Sequence, residues 1–324
     1  MRALMRSPAR KPGTNPPAGQ CRRSSSRTPE VGTPRYFDSS DSEEELNQKW
    51  TPSKGSGVGL RNLRKGELLA SGAFGSVHQV QDAVDGTIYA VKVAKADRRH
   101  NGSFPESLRR ELEICRKLNH PNIICCLGHR FENGELNIYF EFAAGGSLRQ
   151  ALNQFGPLQG PLHQKATRAL LNGLHYLHTH TPPVVHRDVK GANVMVDISF
   201  CMKLGDFGCS KCKDTTKTFS SVGTLHWMAP EVIKQTEQGH GRMVDIWSFG
   251  CVILEMATAA DPWGKDAFDN MMHAMKVISM TNSYPPIPDN LSPGACELVK
   301  NCLRRDPAER LSTSQLLSLQ DSVW

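Results

Sequence analysis

The chain has 324 residues, 39% hydrophobic and 22% charged, with a mean hydropathy of −0.42, so it can bury the core of two lobes or domains and has the balance of a water-soluble globular protein. No run approaches the ~18 consecutive apolar residues of a membrane-spanning helix. Most of the ten cysteines sit inside apolar helical or strand patterns, where a thiol packs as a small hydrophobe, and the CxxC pair Cys209/Cys212 has no second pair at zinc-finger distance.

These features exclude a disulfide scaffold and a structural metal. They place the expected compartment in the reducing cytoplasm, with the nucleus as the alternative. The net charge of +7 belongs to one end: residues 1–35 carry eight arginines and lysines against Glu30, and the remainder is formally neutral.

Residues 1–59 are rich in Pro, Ser, Gly and Arg with no sustained apolar period, and are expected to be a disordered regulatory tail. Its prolines and lack of amphipathic pattern argue against a transit peptide. Ser7, Thr28, Thr33 and Thr51 each precede proline, and Ser39, Ser40 and Ser42 lie in the acidic run Asp38–Glu45; all are candidate phosphorylation sites that would offset the basic arm. Arg clusters can hold nucleic-acid phosphates, but no aromatic residue lies in residues 1–35, so nucleic acid is not expected as the main partner.

Structure is expected from about Leu63. Asp85-Gly86 and Asn133-Gly134 are hairpin signals flanked by strand-like runs. Between them Ser103-Phe-Pro-Glu106 starts a helix along which Leu108, Leu112, Cys115 and Leu118 recur at helical spacing. Beyond Gly145-Gly146 the runs ATRALLNGLHYLH, MVDIWSFGCVILEMAT and ACELVKNCL are helical in period. The fold class is therefore α+β: a small β-rich lobe over residues 60–142 and a larger helical lobe over 143–324.

Chemistry-bearing motifs follow in chain order. Ala70-Ser71-Gly72-Ala73-Phe74-Gly75-Ser-Val77 is a glycine-rich turn between two strands, where backbone amides can approach phosphates. Lys92, in Ala90-Val91-Lys92, is a charge among apolar neighbours that needs a partner; Glu111 suits, with Glu113 on another helix face as the alternative. The segments HRDVKGAN and DFG supply Asp188, Lys190, Asn193 and Asp206. Phosphoryl transfer asks for such groups: oxygen ligands for Mg²⁺, cations on phosphates and an acceptor for a hydroxyl proton.

In this order the motifs resemble the eukaryotic protein kinase superfamily over about residues 61–318. RKGELLASGAFGSV, HPNII, EFAAGGSL, HRDVKGAN, GTLHWMAPEVI and PPIPDNLSP are most similar to the mitogen-activated protein kinase kinase kinases. The resemblance implies a bilobal serine/threonine kinase that uses ATP and Mg²⁺. It implies a protein substrate that is itself a kinase kinase, and activation by an upstream kinase or by autophosphorylation.

Carried over residue by residue, the resemblance makes Asp188 the catalytic base, Lys190 the cation at the transferred group, and Lys92, paired with Glu111, the holder of the α- and β-phosphates. Asn193 and Asp206 become the metal ligands. Phe140 precedes a hinge of Glu141, Phe142 and Ala143 that would meet adenine, and residues 70–77 with Ala90 would line the nucleotide site. Glu231 and Arg310 match a structural ion pair, and Asp245 a helix-terminus support for the catalytic loop.

Three departures stand out. Ala70 replaces the first loop glycine, Leu225 and His226 replace a common proline and an aromatic, and Cys115 and Cys126 join His186 and Phe207 in a stack of hydrophobic positions between the lobes. If Ala70 were held in a left-handed turn it would cost roughly 1–2 kcal/mol. That is the sole support for the alternative reading, a pseudokinase scaffold or allosteric regulator.

The resemblance also points to Ser220 as the activating phosphosite, with Thr218 and Ser221 as neighbours, Thr224 supporting Asp188 and Lys190, and Arg187 receiving the phosphate. Ser220→Ala and Arg187→Ala should each lower activity, and the double variant should be little worse than either single, because coupled partners are non-additive. Phosphate mapping with assays of all three variants checks this, and additive losses would refute the pairing.

Overall fold

The computed structural model describes residues 62–72, 75–95, 106–207, 222–235, 241–264 and 266–323. The tail, Ala73, Phe74, Ser103 and residues 208–221, which include Thr218, Ser220 and Ser221, lie outside them, as does the side chain of Thr224. Among the described residues no helix is long and apolar enough to cross a membrane.

The first strands are β1 (Leu63–Gly72), β2 (Gly75–Asp82) and β3 (Ile88–Lys95); helix α1 (Glu106–Cys115) follows, then β4 (Cys126–Glu132) and β5 (Glu135–Glu141). They form an antiparallel sheet in the order β1-β2-β3-β5-β4. Asn133 and Gly134 both take left-handed angles, φ 55° and 72°, the geometry a two-residue hairpin turn needs. The i+4 bonding of α1 gives way to Lys117 N–H to Ile114 O and Leu118 N–H to Cys115 O. Leu118 thus reaches the core from a tightened turn beyond the helix and not from the helix itself.

Strand alternation sorts the sheet into two faces. Val80, Tyr89, Val91 and Tyr139 pack together on one. On the other, Ala94 and Ile138 join Leu112 of α1, Phe131 and Leu136. Register carries the second face across the sheet: Ala70 lies opposite Val77, Val77 opposite Lys92, Lys92 opposite Ile138 and Ala90 opposite Phe140.

The helical part contains α2 (Leu148–Phe155), α3 (Gly160–Thr179), the hairpin β6 (Val194–Val196) and β7 (Met202–Leu204), α4 (Pro230–Ile233), α5 (Met243–Thr258), α6 (Met271–Met280), α7 (Pro293–Cys302) and α8 (Thr313–Val323). Every residue from Val244 to Ala257 is buried, so α5 is the axis of the large core. An apolar run with this little polar interruption is buried all round. Its two acids, Asp245 and Glu255, are both 0% exposed and become anchoring points for the loops around it.

The β6–β7 hairpin fixes the centre. Ile124 N–H reaches Leu204 O at 2.8 Å and Leu204 N–H reaches Asn122 O at 2.9 Å, while Val196 N–H reaches Gly146 O at 2.9 Å. Val194 pairs with Leu204, so Asn193, just before β6, and Gly205-Asp206, just after β7, share one end of the hairpin. Gly205 N–H to Asn193 O at 2.9 Å closes that end.

Arg310 anchors the far side of the core. Its guanidinium donates to Glu231 Oε1 at 2.6 Å and Oε2 at 2.8 Å, to Arg304 O and to Met243 O, and lies over the Trp247 ring. Removing one partner strands a buried charge, a loss of about 3–5 kcal/mol. Glu231→Ala and Arg310→Ala should each lower the unfolding free energy in urea by that order, with the double variant less than additive. A loss below about 1 kcal/mol for either would show that the pair holds nothing.

Candidate active site

Lys92 projects from the middle of β3 on the face shared with Val77 and Phe140. Its Nζ lies 2.6 Å and 2.8 Å from the two oxygens of Glu111 and 3.2 Å from Asp206 Oδ1. Of Glu111 and Glu113 on α1, Glu111 makes this contact. Burial alone would strip the proton from Lys92, but the carboxylates of Glu111 and Asp206 more than reverse it and hold the ammonium above the usual lysine range. Burial pushes the Glu111 carboxyl up, opposed by Lys92. At neutral pH the bidentate geometry is that of an ion pair.

Asp188 lies on the loop between α3 and β6. Lys190 Nζ at 2.9 Å and Asn193 Nδ2 at 2.8 Å both donate to its Oδ2. Asn193 Nδ2 also donates to Asp188 O at 2.8 Å, so the amide oxygen is the end left for another ligand. Asp206, 52% exposed at its side chain, takes φ 57°, and Arg187 takes φ 67°. Left-handed angles at non-glycine residues persist where surroundings over-determine them. For Arg187 the surroundings are Asp245, whose Oδ1 accepts Arg187 N–H at 2.7 Å and whose Oδ2 accepts His186 N–H at 2.8 Å and the His178 ring at 2.8 Å. Burial would raise the Asp245 carboxyl, but the His178 hydrogen bond and charge, with His186 and Arg187, hold it below the usual range.

His186 joins both motifs. Its Nε2 donates to Gly205 O at 2.9 Å, its Nδ1 faces Asp188 N–H at 3.3 Å, and its ring lies 5.1 Å from Phe207. Cys115 and Phe207 belong to one buried cluster, with Cys126 packed against it.

Asn193 and Asp206 offer an amide and a carboxylate oxygen at one end of the hairpin, a donor set that suits Mg²⁺ completed by phosphate and water oxygens. Ala70 lies within β1 opposite Val77, and its φ is not positive, so the left-handed strain it would suffer in a turn is absent. Gly75 does need to be glycine: at φ 130° a Cβ would meet Val93 O at 2.1 Å. Ser71 and Gly72 end β1; Phe140 and Glu141 end β5, and Ala143 follows. The Glu141 side chain is engaged, its Oε1 accepting Cys125 N–H at 2.8 Å and Lys203 Nζ at 3.0 Å.

Sequence reasoning missed Glu255. Its Oε2 accepts Gly191 N–H at 2.9 Å and Trp227 Nε1–H at 2.8 Å, and Arg149 Nε lies 3.3 Å from Oε1. Gly191 approaches so closely that a Cβ there would meet Oε1 at 2.3 Å. The available signal was an acid inside the apolar run CVILEMA, which must be paired to be buried.

The family model of the protein kinase domain matches residues 63–320. Mitogen-activated protein kinase kinase kinase 3 of Arabidopsis thaliana is 40% identical over 78% of this chain and 40% of its own length. Kinase kinase kinase A of Dictyostelium discoideum is 40% identical over 78% and 27%, and human kinase kinase kinase 1 is 36% identical over 78% and 17%. The chain thus spans less than half the length of these relatives.

Burial pushes Glu255 from 4.5 up to about 6, against Arg149 and the two hydrogen bonds. Between those values the native state binds more protons than the unfolded chain, so this group lowers stability as pH rises from 4.5 to 6 and no further above. At 1.36 kcal/mol per unit that is about 2 kcal/mol. The unfolding free energy of wild type minus Glu255→Gln, followed in urea across pH, should fall by that order through the window and be level above it. A difference independent of pH would refute the shift.

Proposed function

This chain belongs to the protein kinase family, and from that premise we propose that it transfers the γ-phosphoryl group of ATP to a serine or threonine hydroxyl of a protein. The observation that carries the reading is the meeting of Lys92, Glu111 and Asp206, two of them 114 residues apart, beside a loop that presents Asp188 and Asn193.

Asp188 accepts the hydroxyl proton as the hydroxyl oxygen bonds to the γ-phosphorus and the bond to ADP breaks. Lys190, already on Asp188 Oδ2, keeps that carboxylate oriented and supplies positive charge beside the transferred group. Lys92, held by Glu111, takes the α- and β-phosphates. Asn193 and Asp206 would hold Mg²⁺, which neutralises phosphate charge when bound. Ala70, Val77, Ala90 and Phe140, on one sheet face, line the nucleotide site, with the backbone of Glu141 to Ala143 at the adenine.

The relatives named as mitogen-activated protein kinase kinase kinases favour a kinase kinase as the substrate and a place in such a cascade. Activation then falls to an upstream kinase or to autophosphorylation.

Asp188→Asn should cut phosphate transfer from ATP to a generic protein substrate by about 10²–10⁴-fold while leaving nucleotide binding within severalfold. Transfer measured with radiolabelled ATP, alongside nucleotide affinity, decides it. A variant keeping more than a tenth of the rate removes Asp188 from this role. Wild type that binds ATP and transfers nothing would make the chain a pseudokinase.

A further inference from the structure

Outside the Lys92–Asp188–Asp206 centre the described residues form a cavity of about 600 Å³, walled by α2, by the 3-10 turn Val222–Trp227 and by the connection from α5 to α6. His226, one of the departures from the family pattern, forms part of its wall. The imidazole stacks on Phe268 with centroids 5.2 Å apart and planes 16° from parallel, and its Nδ1 is 3.0 Å from Asp261 Oδ2.

Arg149 also lines the cavity, and its charge is already engaged. The guanidinium pairs with Asp261 Oδ1, lies 3.3 Å from Glu255 and sits 5.3 Å over the Trp227 ring. Asp266 also lines the cavity and is exposed. Among the described lining residues one guanidinium therefore stands against two carboxylates, and the hydrogen bond from His226, with Arg149, keeps Asp261 ionised below the ordinary aspartate range. The surplus is negative, and the neighbouring aromatic wall adds a π face attractive to cations.

The cavity is also tied to the catalytic loop. Glu255 receives Gly191, three residues after Asp188, and Trp227 on one oxygen and faces Arg149 with the other. Three residues of backbone plus that bridge span roughly 20 Å at most, the reach of about six extended peptide residues.

We infer that this cavity is a subsite for a lysine or arginine side chain of the protein substrate, lying within about six residues of the acceptor hydroxyl. The inference rests on the proposed kinase activity. Asp266 supplies the charge, Asp261 being held by Arg149 and His226, and the His226–Phe268 stack supplies the wall along which the aliphatic stem lies. Because Arg149 is held by Asp261 and Glu255, an acidic side chain would have to displace one of them, which disfavours the opposite selectivity.

The test uses the full chain and a positional-scanning library of serine- and threonine-centred peptides. At one position Lys or Arg should exceed Ala by about tenfold in kcat/KM, chiefly through KM, and Glu should fall below Ala. Asp261→Asn with Asp266→Asn should reduce that preference to twofold or less while leaving the KM for ATP unchanged.

Asp266→Asn alone, at an exposed position with φ 60° that asparagine adopts readily, should lower the preference severalfold without disturbing the Arg149 network. Peptides phosphorylated with a flat or acidic preference would overturn the subsite and leave the kinase reading standing. So would a basic preference that survives both substitutions. Failure to phosphorylate any peptide or protein would overturn the kinase reading and the subsite with it.

Discussion

The candidate active site depends on carboxylates buried in one helix. A buried charge without partners is expensive, so Asp245 at the start of α5 and Glu255 near its end must each be satisfied by whatever surrounds the helix. Around it runs the loop that carries Asp188. Asp245 takes the amides of His186 and Arg187, and Glu255 takes the amide of Gly191, so the loop carrying Asp188 is pinned on both sides of that residue. The left-handed backbone of Arg187 is tolerable because its amide has a fixed, ionised acceptor. Satisfying the core and positioning the site are one set of hydrogen bonds.

The second constraint is the junction between sheet and helices. Lys92 belongs to β3, Glu111 to α1 and Asp206 to the turn after β7, and the three meet only if all three segments are in place. Burial disfavours the ammonium on this strand and those acids restore it, so the ion pairs report the relative position of α1 and the hairpin. Asn122 and Ile124 hold β7 from the chain leading into β4, and Lys203 of β7 reaches Glu141 at the end of β5. The placement of Asp206 is therefore set by backbone bonds on one side and by a charged side chain on the other.

Much of this was legible in the sequence, for reasons that differ from element to element. The strands on either side of Asp85-Gly86 and Asn133-Gly134 follow from turn chemistry, and the α5 run MVDIWSFGCVILEMAT reads as a buried helix because almost nothing polar interrupts it. Lys92 could be singled out as a buried cation, but choosing Glu111 over Glu113 needs the direction of α1 against the sheet, which is a tertiary fact. The strain raised for Ala70 depended on assuming a turn; β1 instead extends through it as a paired strand. Arg149 was not found because it lies far in sequence from its partners Glu255 and Asp261, while Glu255, an acid inside an apolar run, signals burial without naming the groups that satisfy it.

The thiols between the lobes bear on the same junction. Burial raises the Cys115 thiol well above its ordinary range and pushes Cys126 up to about 12, so both are neutral and act as small apolar groups. Each lacks roughly two of the carbons that a leucine would place there, a deficit of about 1.5 kcal/mol of burial per position at 0.8 kcal/mol per methylene. Ile114 and Leu118, which flank Cys115 in the cluster of Phe207, carry the rest of the apolar contact from this part of the chain. Beside it stand the bonds of Lys92 to Glu111 and Asp206, which are directional and depend on charge. Phosphate, which competes for the Lys92 ammonium, and a divalent cation, which competes for the Asp206 carboxylate, both act on this contact.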